Sequence, residues 1–315
     1  MSILGWRHQT RACLVRLLDA DTSSLILHYA WTPRLSSPSR PLIQEKDHSS
    51  VAAQAICLHK DELFVASGSD SRLRSFSQVT GRFLFQMELK LGQSEAASAR
   101  YTQILSIDVT PGDERLFVAQ RGGVTCVSLP AYREGYNFGY KFASPEGSRR
   151  DKNMQVCACG GLKVCITGED RSARVTVLRS TDAQVLAYLG GRGADYPDQS
   201  QPPCPARATL TWDPQDNQLI VTGDQTILFF DLKRNKFIRQ VDFPHPCKKA
   251  LACGEDLVIL VHAWDDPGLY LTGRTSGRIA VLKSILGGTY RDVWLCHKRP
   301  EIFVLTYCDE VLVYE

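Results

Sequence analysis

Residues 47–89, DHSSVAAQAICLHKDELFVASGSDSRLRSFSQVTGRFLFQMEL, set four short apolar runs between polar turns. Val51 to Leu58 reads as a strand closed by the turn His59-Lys60-Asp61. Leu63 to Ala66 reads as a second strand ending at the tight turn Gly68-Ser69-Asp70. Leu73 to Phe76 is a third, and Phe83 to Leu89 a fourth beyond Thr80-Gly81. Gly, Ser and Asp at the breaks supply the conformations and side-chain acceptors that tight turns need. The apolar runs are short and carry no 3.6-residue period, so helices are excluded. The stretch predicts a four-stranded antiparallel meander.

Such a meander cannot bury both its faces alone, and the chain repeats it. Gln120-Arg121-Gly122-Gly123 precedes the strand Val124 to Leu129. Thr167-Gly168-Glu169-Asp170 precedes Ala173 to Leu178, and Thr222-Gly223-Asp224 precedes Thr226 to Phe230. First strands begin near Ala53, Gln103, Asn153, Arg207, Lys248 and Tyr290, at spacings that suit propeller blades of roughly 40–45 residues with some longer loops. Ala12 to Leu18, Ser24 to Trp31 and Arg40 to Glu45 supply strands of an opening blade. Tyr290 to Cys296, Glu301 to Tyr307 and Glu310 to Tyr314 supply three strands of a last blade that lacks its fourth. Ile3 to Trp6 is expected to fill that gap, closing the ring and removing a free sheet edge. The fold expected is an all-β, seven-bladed β-propeller, with six blades as the fallback, in a single domain over residues 1–315.

Composition narrows the function classes. With 315 residues, 43% of them hydrophobic, the chain is long enough for a large core. No run approaches the ~18 apolar residues of a membrane span, and Trp6, Arg7 and His8 interrupt the place of a secretory core. A cytoplasmic and/or nuclear location is expected. The net charge of +3 and pI near 8.3 are too mild to argue for nucleic acid. Of 11 cysteines, Cys57, Cys126, Cys157, Cys165, Cys253, Cys296 and Cys308 lie in or beside predicted strands, where a thiol acts as a small buried hydrophobe. An odd total fits a reducing compartment. Cys157, Cys159 and Cys165 lack a second pair at ligand spacing, so no metal is expected.

No catalytic arrangement emerges and no cofactor is expected. Ser67-Gly68-Ser69 sits in a strand-to-strand turn, whereas a nucleophile elbow leads into a helix. Gly122-Gly123, Gly160-Gly161 and Gly287-Gly288 lack the helix that would cradle a phosphate. His28, His48, His59, His245, His262 and His297 are scattered. Arg149-Arg150 with Lys152, and Lys233-Arg234 with Lys236, read as solvated turns, and Gly190 to Ala206 as an irregular rim loop. The chain is expected to bind, not to catalyse. Asp70, Asp170 and Asp224 fix second-to-third-strand turns by accepting backbone N–H bonds. Arg72, Arg121 and Arg171 share those turns in three successive blades, where guanidinium forks converging on one face would suit carboxylate or phosphate; the alternative is separate surface arginines. Trp264, in the polar turn His262 to Gly268, is the candidate aromatic anchor, the alternative being a ring folded against the neighbouring blade. These four are the expected partner-binding residues.

Asp47-His48 and LFVASGSDS at Leu63 to Ser71 resemble the marks of WD40 repeats, whose Trp-Asp ending is reduced here to Phe230-Asp231 and Tyr314-Glu315. The opening Ile3 to Arg7, the segments SLILHYAWTP and SRPLIQEKDH, the Leu189-Gly190 to Pro197 loop and the three-stranded ending are similar to the propeller half of F-box/WD-repeat proteins, in their dactylin-like branch. That resemblance implies substrate recognition within a cullin-RING ubiquitin ligase. A ligase adaptor and cullin are expected as partners only where an F-box precedes the chain, for which the residues before Trp6 leave no room. A non-catalytic scaffold in another assembly is the alternative.

Overall fold

The computed structural model describes residues 40–43, 53–67, 72–88, 104–110, 114–120, 123–129, 139–143, 154–167, 174–191, 201–205, 207–254, 256–262, 267–273, 283–287, 289–296, 301–307 and 310–314. They form 24 strands in six four-stranded antiparallel sheets. Blade I comprises β2 (Ala53–His59), β3 (Glu62–Ser67), β4 (Arg72–Ser77) and β5 (Phe83–Glu88). Blade II comprises β6 (Ile104–Val109), β7 (Arg115–Gln120), β8 (Gly123–Ser128) and β9 (Gly139–Ala143). Blade III is built from β10 (Gln155–Cys159), β11 (Lys163–Thr167), β12 (Arg174–Arg179) and β13 (Val185–Gly190), and blade IV from β14 (Thr209–Asp213), β15 (Gln218–Gly223), β16 (Thr226–Asp231) and β17 (Lys236–Asp242). Blade V holds β18 (Cys247–Cys253), β19 (Asp256–Val261), β20 (Gly268–Gly273) and β21 (Lys283–Gly287). Blade VI holds β22 (Tyr290–Cys296), β23 (Glu301–Thr306) and β24 (Val311–Tyr314), with β1 (Arg40–Ile43) as its outer strand.

The second strands explain the stacking. ELFVAS, RLFVAQ, KVCIT, QLIVTG, DLVILV and EIFVLT are almost continuously apolar, which a strand tolerates only when both its faces are covered. Each is buried over all or nearly all of its length. Outer strands alternate instead: β17 runs exposed and half-buried along KFIRQVD, with Val241 alone buried. Six apolar clusters fill the six blade interfaces. Phe64 and Leu73 pack with Ile107 and Leu116 between I and II, and Phe117 and Val124 with Val156 and Ile166 between II and III. Cys165 and Val177 meet Leu219 and Phe230; Ile220 and Phe229 meet Ala250 and Ile259; Leu260 and Leu269 meet Val293 and Val304. The sixth cluster sets Phe303 and Val311 of blade VI against Ile56 and Leu63 of blade I, and so closes the ring.

Closure differs from the sequence expectation in two respects. The edge of β24 is held by β1, in register Arg40↔Val313, Pro41↔Leu312 and Ile43↔Val311. With β23 on its other side, β24 has no edge left for Ile3 to Trp6, which lie outside the described residues. Of the segment Arg40 to Glu45, expected in an opening blade, Arg40–Ile43 therefore supplies the strand the last blade lacked. The described ring has six blades, the fallback count, because β22 packs directly on β2 and every blade face is already covered. Residues 12–18 and 24–31, assigned to a seventh blade, lie outside the described residues.

Candidate functional site

The first strands line the central channel, and their opening residues share one burial rhythm. Gln54, Leu105, Gln155, Thr209, Lys248 and Arg291 are each half-buried between two buried neighbours. One from every blade, they surround a cavity of about 80 Å³ at the channel mouth, small beside the several hundred Å³ that enclose a drug-sized ligand. In β2, β6, β18 and β22 a break in register falls at this residue: Ala53 and Ala55 face Ser67 and Ala66, for example, leaving Gln54 as the extra residue. A β-bulge of this kind re-aims side chains. It lets Lys248 and Lys249, neighbours in sequence, both line the cavity, as do Arg291 and Asp292.

Beneath the mouth, polar side chains tie first strands to their neighbours at four of the six blade junctions, II–III, IV–V, V–VI and VI–I. Thr209 Oγ1 donates to Lys248 O and Thr211 Oγ1 to Ala250 O, both at 2.6 Å. Ser106 Oγ donates to Val156 O at 3.4 Å. Asp108 accepts from Ala158 N at 2.9 Å and from Val109 N at 2.8 Å. At the closing interface Asp292 accepts from Ile56 N at 3.2 Å and from Val293 N at 2.8 Å, while Arg291 donates to Ala53 O. Lys249 Nζ meets Asp292 Oδ1 at 2.7 Å and lies 4.7 Å from the centre of the Trp294 ring. Asp108 and Asp292 are thus committed to the wall. Burial pushes the Asp108 carboxyl up from 3.8 to about 6, against the lowering pull of its two backbone bonds, of Lys249 and of the Cys157 thiol.

Among the described residues three cations and two carboxylates line the cavity, and Lys249 is already matched to Asp292. Lys248 and Arg291 occupy equivalent positions in blades V and VI, and both lie beside Tyr307: Lys248 Nζ is 5.8 Å and the Arg291 guanidinium carbon 5.2 Å from its ring centre. Tyr307 directly follows β23, as His262 follows β19, so these two also hold equivalent places in adjacent blades. Their rings stack with centres 6.1 Å apart, and Tyr307 Oη and His262 Nε2 are 3.0 Å apart. Tyr307 is 42% exposed, an aromatic face left to solvent beside two cations. Burial lowers the Lys248 ammonium from its ordinary value, Asp292 opposes the shift, and Lys249 and Arg291 add to it. His262 is lowered by burial and by Lys248. Chemically, this quarter of the mouth favours an anion.

Of the expected binding residues, Arg72 opens β4 and is exposed; Arg121, Arg171 and Trp264 lie outside the described residues. The face expected for binding is the one that carries the mouth. Asp224, in the second-to-third-strand turn of blade IV, accepts through its main-chain oxygen from Cys247 N, at the start of the first strand of blade V. Its own turn role is a left-handed backbone, φ 50°; Asp70 and Asp170 are outside the described residues. Carboxylates that do cap turns are those of Asp231, which accepts from Lys233 N at 2.7 Å and Arg234 N at 3.0 Å, of Asp213, which accepts from Gln215 N at 3.0 Å, and of Asp182, which accepts from Gln184 N at 3.2 Å. Strand and turn patterns do not mark Lys248, Arg291 or Tyr307 as site residues, and they leave His262 only as one of the scattered histidines, at the head of the Trp264 turn. The Lys248-Lys249 doublet inside an apolar strand was the available signal.

Cys157, Cys159 and Cys165 are buried together at the interface of blades III and IV, with Cys159 Sγ 3.9 Å from Cys157 Sγ and 3.7 Å from Cys165 Sγ. Burial holds the Cys159 thiol well above its ordinary value. A hydrogen bond with Cys159 pulls Cys157 down, yet burial and Asp108 carry it up to about 11. Cys157 and Cys159 are thus protonated packing groups, and Cys165 packs with them in the same cluster. The second half of the rim loop also packs inward: Cys204 is buried near Leu189, and Gln201 Oε1 accepts from Gly190 N at 3.0 Å.

No family model matches this chain, and no curated protein sequence matches it. Among solved structures, a chain in a crystal structure of a mitotic checkpoint complex is similar, with a TM-score of 0.56 and 12% sequence identity over 85% of this chain and 76% of that one. The likeness is one of fold, and it accords with the all-β propeller read from the sequence.

Proposed function

We propose that this propeller is a non-catalytic protein-interaction module that receives its partner at the channel mouth, on the face where the first strands begin. The observation that carries this reading is the quartet Lys248, Arg291, His262 and Tyr307, which pairs two cations with an exposed aromatic ring at equivalent positions of adjacent blades. Tyrosine and arginine are among the residue types that dominate the energetics of protein interfaces. Arg72, Arg121, Arg171 and Trp264 remain candidates for a wider footprint on the same face. The finer reading is that the partner is a degradation substrate delivered to a cullin-RING ligase in the cytoplasm or nucleus. The F-box/WD-repeat resemblance and the blade closed by three C-terminal strands support it. A scaffold in another assembly needs only the channel face.

Affinity capture from cell extract, read by mass spectrometry, tests both levels. Proteins held by the full chain should be lost from a Lys248→Glu/Tyr307→Ala variant and retained by a Phe83→Ser/Tyr188→Ser variant, whose changes fall on exposed outer strands. Identical capture by all three would refute the channel face. An adaptor and a cullin among the captured proteins, and a captured partner that accumulates when the proteasome is inhibited, are the outcomes required of the ligase reading.

A further inference from the structure

Granted the partner-binding reading above, on which this rests, we infer that the quarter of the mouth between blades V and VI is a receptor for a single carboxylate of a partner polypeptide. Charge among the described residues points to the ligand. The described lining carries three cations, Lys248, Lys249 and Arg291, against the two carboxylates of Asp108 and Asp292. Both of these carboxylates are held by one backbone donor of their own strand and one of the neighbouring first strand, so neither can swing out to meet Lys248. Asp292 already serves Lys249 at 2.7 Å. Lys248 has only the Tyr307 ring as a described contact of its ammonium, at 5.8 Å.

A monoanion entering beside Lys248 would match the one ammonium there that no described carboxylate holds, whereas a phosphate ester, bearing close to two charges, would leave a negative charge uncompensated by that ammonium among groups already withdrawn from water. Size points the same way, since about 80 Å³ admits the tip of one side chain and not a bulky headgroup. Tyr307, 42% exposed beside the two cations, offers a flat surface for the methylenes or backbone that lead to the carboxylate. An aspartate or glutamate side chain and a free C-terminus present the same chemistry, and the test separates them.

The full chain is titrated, by isothermal calorimetry, with capped alanine pentapeptides carrying a central glutamate, glutamine or phosphoserine, and with an uncapped alanine pentapeptide ending in a free carboxylate. The glutamate peptide, the free-carboxylate peptide or both should bind saturably in the millimolar range or tighter. Binding should be about tenfold or more tighter than that of the glutamine peptide, the ratio expected of a charge-assisted contact. Whichever binds identifies the source of the carboxylate. Lys248→Gln should cut that preference about tenfold at an unchanged melting temperature. Arg291→Gln should do the same, but because Arg291 also holds Ala53 O, the lysine variant decides where the arginine variant fails to fold. Equal binding of glutamate and glutamine, no binding by any carboxylate peptide, insensitivity to Lys248→Gln, or a phosphoserine peptide that outcompetes glutamate would each overturn the assignment. If the peptides fail while captured proteins still depend on Lys248 and Tyr307, only the carboxylate assignment falls; if capture is also independent of them, the partner-binding reading falls with it.

Discussion

Two buried carboxylates line the same channel, and their surroundings give them different consequences. Asp292 has a cation at 2.7 Å, and both side chains of the pair are largely withdrawn from water, Lys249 at 10% and Asp292 at 13% exposure. Replacing Lys249 by Met keeps the bulk and strands the carboxylate, a change that costs about 3–5 kcal/mol when a buried pair is broken from one side. Urea denaturation of K249M should show that loss, and a double-mutant cycle with Asp292→Asn should return a coupling above ~1 kcal/mol. Purely additive effects would mean that the pair contributes nothing. Asp108 has no cation within bonding distance among its described hydrogen bonds, and burial raises its carboxyl to about 6 from 3.8. Below about pH 4 it is protonated in both the folded and the unfolded chain, and above about pH 6 it is ionised in both. Between these limits the unfolded chain has released the proton that the folded chain keeps, so this group's contribution falls as pH rises through the window, by ~3 kcal/mol in all. Subtracting the urea stability of Asp108→Asn from that of the native chain isolates the group: the difference should fall from pH 4 to pH 6 and then level off. A difference that does not change with pH would show a carboxyl ionised throughout.

At the scale of single elements, the strands were legible and the irregularities were not. Apolar runs and turn residues placed the first strands near Ala53, Gln103, Asn153, Arg207, Lys248 and Tyr290, and the structure starts them at Ala53, Ile104, Gln155, Thr209, Cys247 and Tyr290. A bulge leaves no such mark, because it interrupts the two-residue alternation from which facing is read. That is why Lys248, Lys249, Arg291 and Asp292 could not be assigned to the lumen, and why the candidate site was legible as a face but not as residues. His262 and Tyr307 meet across two blades, a contact that strand periodicity does not encode. The rim loop shows a similar limit. Its glycines and prolines predicted irregular backbone, yet Gly190 leaves β13 at φ 66°, and a Cβ placed there would stand 2.8 Å from both Pro202 O and Cys204 Sγ. Gly190→Ala therefore meets a left-handed backbone and a main-chain oxygen that cannot step aside. It should destabilise the chain by about 1–3 kcal/mol, read as a lower denaturation midpoint with an unchanged slope. A midpoint equal to that of the native chain would show the returning loop to be loosely held.

The whole molecule is held by its sixth interface as much as by any blade. Phe303, Leu305, Val311 and Val313 of the last blade pack against Ala53, Ile56, Leu63 and Val65 of the first, and Asp292 and Arg291 bond across the same seam to Ile56 N and Ala53 O. Outside that seam, β1 joins the two ends of the chain in one sheet. Repeat spacing could not reveal this pairing. Arg40 to Ile43 is a short apolar segment whose partner is set only when the ring closes, and counting it within a blade of its own gave seven where the described residues form six. The location of the closing strand separates two truncations. A chain that starts after Arg7 keeps β1 and should melt with the native protein. A chain that starts after Ile43 bares the edge of β24 and loses three paired residues, worth on the order of 2–4 kcal/mol in backbone hydrogen bonds and packing. It should melt several degrees lower and associate in a concentration-dependent way through the opened edge, which thermal denaturation and light scattering would register together. If the shorter truncation is the damaging one, residues 1–7 hold the ring after all and the role given to Arg40–Ile43 is wrong. If neither is, the sixth interface alone is enough to keep the ring closed.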